Sequence, residues 1–100
     1  MIEGIREKVL KGAYEYSGHA LDQSVLRKIS TAEVVEAVKS GEVIEDYPKD
    51  KYGPSRLILG WTIQGRPLHI QSSYPSRELV KIITVYEPDK DEWIDWKVRR

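Results

Sequence analysis

Residues 55 to 73 read SRLILGWTIQGRPLHIQSS, and the fold turns on how this stretch doubles back. Two runs with strand character, 55–63 and 66–73, flank Gln64-Gly65, a pair suited to a two-residue hairpin turn. With that turn Trp61 faces Leu68, Leu59 faces Ile70 and Leu57 faces Ser72. These residues form the apolar side, the one helices should cover. On the other side Gly60 faces His69, Ile58 faces Gln71 and Arg56 faces Ser73. His69 then lies on the more polar face, opposite a residue with no side chain. A glycine in mid-strand marks a bulge or a close approach by a ligand or another backbone. A slip of one residue would exchange the two faces.

Upstream of the hairpin the period is helical. Ile2, Ile5, Val9 and Leu10 recur at helix spacing, and Gly12 stops the run. Tyr14 to Tyr16 is a connector or a short strand. Ser17 can cap a second helix from Gly18 to Ile29, with Leu21, Val25 and Ile29 stacked on its buried face. Ser30-Thr31-Ala32-Glu33 has the form of a capping box. The third helix runs from there to about Ser40 and ends at Gly41, a residue suited to the left-handed C′ position.

From residue 42 the period becomes two. EVIEDY (42–47) reads as a strand and LVKIITVYE (79–87) as the strongest one, central because both its faces are apolar. DEWIDWKV near the end is a short strand or a helical turn. The expected fold class is α+β: two to three N-terminal helices packed on one face of a four-stranded, mainly antiparallel sheet, as a single domain over 1–100.

Composition narrows the chemistry. The 100 residues hold sixteen Lys plus Arg against sixteen Asp plus Glu, so a generic basic nucleic-acid coat is not indicated. There is no cysteine, hence no disulfide, thiolate nucleophile or sulfur-bound metal. The two histidines are fifty residues apart with no HxH, HxxxH or HExxH spacing, so no metal is expected. No cofactor motif appears either, the glycines being scattered. No apolar run approaches the ~20 residues needed to cross a bilayer, and MIEGIREKVLKG does not read as a secretory signal. The cytoplasm is the default location.

The second helix carries the functional lead. His19, Gln23 and Arg27 lie four residues apart in one polar line, away from Leu21. A solvated helix face is the ordinary explanation of such a line. The alternative is a base beside an anion clamp: the helix dipole favours neutral imidazole near the N-terminus, and Arg27 offers a planar fork suited to phosphate. Cleavage of RNA at its own 2′-hydroxyl asks for those groups and no metal. Arg56 and Arg66 on the hairpin and Lys81 on the last long strand are further cationic candidates for substrate binding, together with Gln23. Tyr86 could supply a phenol.

Taken in order, SGHALDQSVLRKIS, EVVEAVKSGEVIEDYP, LILGWTIQGRPLHI and KIITVYEPDKDEW resemble the family catalogued as domain of unknown function 4258, over about residues 14 to 96. The marks are a histidine opening the helix, an arginine closing it before I-S, then G-x-V-I-E-x-Y-P, G-R-P-L-H and T-V-Y-E-P. That family has been grouped with metal-independent ribonucleases and toxins of the barnase, EndoU, colicin and RelE type. The resemblance implies an RNA-cleaving toxin held inactive by an antitoxin partner, with His19, Arg27, His69 and Tyr86 as its catalytic set. Family members often carry a second arginine where this chain has Gln23, which removes one cation from the implied site.

Three functional classes follow: an RNase-like toxin, a non-catalytic interaction module (a homodimer or the partner of a small protein), and a relative that keeps the fold without the activity. The first requires His19 and His69 to meet over one cleft. The nine aromatics, all Trp or Tyr, suit the second, since such rings keep one end wet.

Overall fold

A computed structural model describes residues 1–100. In chain order it contains α1 (Glu3–Leu10), β1 (Tyr14–Tyr16), α2 (Gly18–Leu26), α3 (Thr31–Ser40), β2 (Glu42–Tyr47), β3 (Ser55–Trp61), β4 (Pro67–Ser73), β5 (Val80–Tyr86), β6 (Trp93–Ile94) and β7 (Val98–Arg99). The class is α+β, as the periodicity implies. The sheet has five strands in the order β1-β5-β4-β3-β2, rather than four, because the YEY tripeptide pairs parallel with β5. The remaining pairs in the sheet are antiparallel, β4 is the middle strand, and β6 and β7 form a separate two-stranded hairpin. No helix is long and apolar enough to cross a membrane.

The β3–β4 register differs from expectation by one residue. Leu59 pairs with His69, Gly60 with Leu68 and Ile58 with Ile70. The loop has three residues, Ile63 to Gly65, closed by the Thr62 N–H donating to the Arg66 carbonyl. Gly65 takes φ +86°, the left-handed position a three-residue hairpin demands. The extra residue turns Ile58, rather than Leu57 and Leu59, toward the helices, where it joins Leu68 and Ile70, on the expected side, and Ile5, Val9, Val34, Val38, Ile82 and Val85 in the core. Leu57 and Leu59 are also buried, but outside that cluster and on the side of His69.

Gly60 serves the close approach rather than a ligand. A Cβ built there would lie 1.8 Å from the Ala37 carbonyl oxygen, so α3 rests on β3 backbone to backbone. Gly41 is not left-handed. Its φ and ψ are −82° and 167°, and a Cβ there would come within 2.7 Å of Ala37 O and Ile58 Cγ2. Space, not conformation, selects glycine at 41.

The capping box forms as read: the Glu33 N–H donates to Ser30 Oγ and the Ser30 N–H to Glu33 Oε1. Around α2, His19 and Arg27 are exposed and Ile29 buried, as expected, but Leu21 and Val25 are not on the buried face. Ala20 and Ser24 are the buried residues, while Leu21, Val25 and Leu26 are 54, 72 and 80% exposed. The helix ends at Leu26, with Lys28 left-handed at φ 55° and the Ile29 N–H bonded back to the Ser24 carbonyl.

Candidate functional site

The β4–β5 register sets His69 beside Tyr86. Their side chains meet on the sheet face away from the helices, with the phenol oxygen 3.0 Å from His69 Nδ1. His69 Nε2 lies 2.6 Å from the Trp96 carbonyl oxygen. A carbonyl only accepts, so the ring proton sits on Nε2 and Nδ1 accepts the phenol O–H. One neutral tautomer satisfies both contacts.

The β6–β7 hairpin closes over this pair. Trp93 meets the His69 ring edge-on, centroids 4.4 Å apart at 88°, and the Arg99 guanidinium lies 4.7 Å above the Trp93 ring. Arg99 in turn donates to both carboxylate oxygens of Glu45 on β2, at 2.9 and 3.1 Å. Tyr47 donates its phenol to the same carboxylate. Burial lowers the His69 pKa, with the Trp96 bond and the Glu45 charge opposing it. Burial raises that of Tyr86. The packing thus favours the neutral form of each partner.

A cleft of about 310 Å³ opens beside the pair. Arg27, at the end of α2, lines it together with Tyr86, Trp93 and Arg99. Three carboxylates, Glu87, Asp89 and Glu92, also face it. Arg27 and Tyr86 are brought together from residues far apart in the sequence, and His69 stands directly behind the phenol.

The other nominated residues lie elsewhere. His19 is exposed on α2 and His69 is completely buried, so the two imidazoles do not share an open cleft, and a mechanism that needs both at one phosphate is not what this fold offers. Gln23 is structural: its Oε1 accepts the Val85 N–H at 3.1 Å, on the edge of β5 beyond the reach of β1. Arg56 sits on the helix side, bonded to the Met1 carbonyl, 3.5 Å from Asp46 and stacked 4.0 Å over Tyr74. Arg66 spends its fork inside the molecule, on the carbonyls of Arg27 and Lys28 and on Glu33 and Glu87. Lys81 lies at the far end of β5, 3.8 Å from Glu15.

Trp93, Trp96, Arg99 and Glu45 belong to the site without having been nominated. The backbone of the hairpin turn, Asp95-Trp96, has positive φ at both residues and no glycine to announce it.

The chain belongs to the family described as Domain of unknown function (DUF4258), whose model matches residues 16–87. That span contains Arg27, His69 and Tyr86 and stops short of the β6–β7 hairpin. No curated protein and no solved structure matches the chain.

Proposed function

We propose that this DUF4258 domain is a metal-independent, toxin-like ribonuclease that works at the cleft between Arg27 and Tyr86. The observation that supports this is the shared cleft of those two residues, with the phenol hydrogen-bonded to a neutral His69 nitrogen. A ribose 2′-hydroxyl would pass its proton to the Tyr86 oxygen as the Tyr86 proton moves to His69 Nδ1. The 2′-oxygen attacks phosphorus and the 5′-oxygen leaves, protonated by water, giving a 2′,3′-cyclic phosphate. His69 then returns its proton through Tyr86 to solvent. Arg27 holds the phosphoryl oxygens as charge builds on them.

Two features set the scale. Burial disfavours the charged forms of His69 and Tyr86, so the relay is a weak base and turnover is slow. The lining holds two guanidiniums against three carboxylates. Glu87 is paired with Arg66 and Arg99 with Glu45, which leaves Arg27 facing Asp89 and Glu92. That balance opposes tight binding of a polyanionic strand, so Arg27 has to hold a single phosphodiester against the nearby carboxylates. The test is incubation with mixed RNA in a chelator. Wild type should cleave, His19→Ala should retain activity, and Tyr86→Phe and Arg27→Ala should each lose about 100-fold. An inactive wild type, or a fully active Tyr86→Phe, overturns the reading.

The outer face of α2 supports a second reading, a non-catalytic module that pairs with its own copy. Leu21, Val25 and Leu26 point to solvent while Ala20 and Ser24 face the sheet, the reverse of what a lone surface helix needs. Asp22 lies at the middle of α2, and Arg27 and Lys28 follow its last turn. A two-fold pairing of the exposed leucines and valine would cover this apolar face, and a net charge of zero adds no repulsion. Light scattering should show a dimer that Val25→Asp dissociates without lowering the melting temperature. A strict monomer at high concentration ends this reading.

A further inference from the structure

We propose that a second groove, at the opposite end of the sheet, binds the phosphate of a nucleotide. It has a volume of about 260 Å³ and lies between the β2–β3 loop, the segment after β4 and the start of β5. Arg77 and Lys81 line it with the hydroxyls of Ser73, Ser76 and Tyr52, and no carboxylate does. The Arg27 cleft, by contrast, carries more carboxylates than guanidiniums. Of the two, this groove has the charge that suits a phosphate.

Its principal donor, Arg77, is unspent. The Arg77 guanidinium makes no ion pair or hydrogen bond within the chain, although its backbone carbonyl accepts from Lys8. A side chain at Gly53 would come within 3.7 Å of Arg77 Nη2, so the loop passes directly beside this free cation. Ser73 Oγ accepts the Lys81 N–H at 2.8 Å and keeps its own proton to give. Lys81 is held only loosely, 3.8 Å from Glu15. Ser17, at the rim, caps α2, whose first N–H groups add a modest positive potential.

Tyr52 supplies the second element. Its ring is 81% exposed at the mouth of the groove, with Lys51 Nζ 5.0 Å from the ring centroid. An exposed aromatic beside a phosphate seat is the pairing that holds a base by stacking and a phosphate by charge. The volume admits one nucleotide rather than a folded strand. This site stands whether or not the Arg27 cleft cleaves RNA.

The test is an amide-shift titration of the whole protein with uridine monophosphate and, separately, inorganic phosphate at low salt. Saturable shifts should cluster at residues 52–54, 73–77 and 81, with the nucleotide bound several-fold more tightly than phosphate. Arg77→Ala should weaken both at least about tenfold, Tyr52→Ala should remove only the nucleotide's advantage, and 0.5 M salt should weaken both. Both substituted positions are exposed, so the melting temperatures should stay at the wild-type value. Absence of saturable binding, binding unaffected by Arg77→Ala, or equal affinity for nucleotide and phosphate would each overturn the assignment.

Discussion

His69 donates its Nε2–H to the carbonyl of Trp96 across 2.6 Å, and this bond ties the middle strand of the sheet to a turn where Asp95 and Trp96 have φ 51° and 65°. Two successive positive φ values define the type I′ turn that ordinarily selects Asn-Gly or Asp-Gly. A tryptophan there costs about 1–2 kcal/mol. The anchors that hold it are the His69 bond, the Lys97–Glu42 ion pair at 2.9 Å, the Arg99–Glu45 fork and the edge-on contact of Trp96 with Trp61.

Removal of the imidazole should therefore release the hairpin. His69→Ala deletes a fully buried ring and leaves the Trp96 carbonyl without its donor. Urea denaturation should show a loss of about 3 kcal/mol. Trp96→Gly keeps that carbonyl and relieves the turn, so its cost should stay within about 1 kcal/mol, far below an ordinary tryptophan truncation. A larger loss for Trp96→Gly than for His69→Ala would refute the pin.

Stability should also follow the His69 proton. Its pKa in the folded chain is lowered, chiefly by burial, so on acidification the unfolded imidazole takes a proton first. Unfolding binds that proton, and stability falls as pH drops through about 6.5 toward the lower folded value. Glu33, held low mainly by the Ser30 N–H, acts further down. So does Glu45, where burial pushes upward but the Arg99 and Tyr47 bonds outweigh it. Their contribution is lost only below about pH 4.5. Melting temperatures measured at pH 7.5 and 5.5 should fall for wild type and stay level for His69→Gln. A level wild type would remove His69 from this role.

What was legible in the sequence was local. The Ser30–Glu33 box, the Ser17 cap and the change of period at residue 42 depend on neighbours a few positions away, and each formed where it was read. The hairpin faces depended on one loop residue. Leu57, Ile58 and Leu59 are consecutive apolar side chains, so the pattern could not say which would meet the helices. The turn residue Ile63 decided it by joining the loop. The exposure of Leu21 and Val25 follows from the closeness of α2 to the edge of β5, where only Ala20 and Ser24 fit. His19 lies on the outer side of α2 and His69 on the sheet face away from the helices, as expected; they fail to converge because the β6–β7 hairpin, whose docking no local pattern announces, closes over His69.

Gly60 offers the sharpest test of the packing. A Cβ there would lie 1.8 Å from the Ala37 oxygen and 2.7 Å from its Cα, so α3 must lift off the sheet to admit a methyl group. Gly60→Ala should lose at least about 3 kcal/mol in thermal or urea unfolding, the upper end of overpacking. Gly18→Ala is the control: a Cβ there meets nothing within 4 Å at an ordinary helical φ. That change should stabilise by roughly 0.5 kcal/mol, since it only restricts the unfolded chain.

Arg66 was a candidate for substrate binding, and its surroundings make it a clamp. The end of α2 presents carbonyls with no helical partner, and the Arg66 fork bonds those of Arg27 at 3.0 Å and Lys28 at 3.1 Å while pairing with Glu87 at 2.7 Å and Glu33 at 3.3 Å. A lysine carries the charge but its single ammonium cannot span these four acceptors. Arg66→Ala should cost about 2 kcal/mol, and Arg66→Lys should recover less than half of that loss. Both should speed amide exchange at Lys28 and Ile29, whose N–H groups close the helix end. If Arg66→Lys unfolds with the wild-type midpoint, charge alone suffices and the fork geometry does not hold α2 in place. Normal stability with slowed RNA cleavage would instead return Arg66 to the substrate side, by way of the Arg27 backbone it holds.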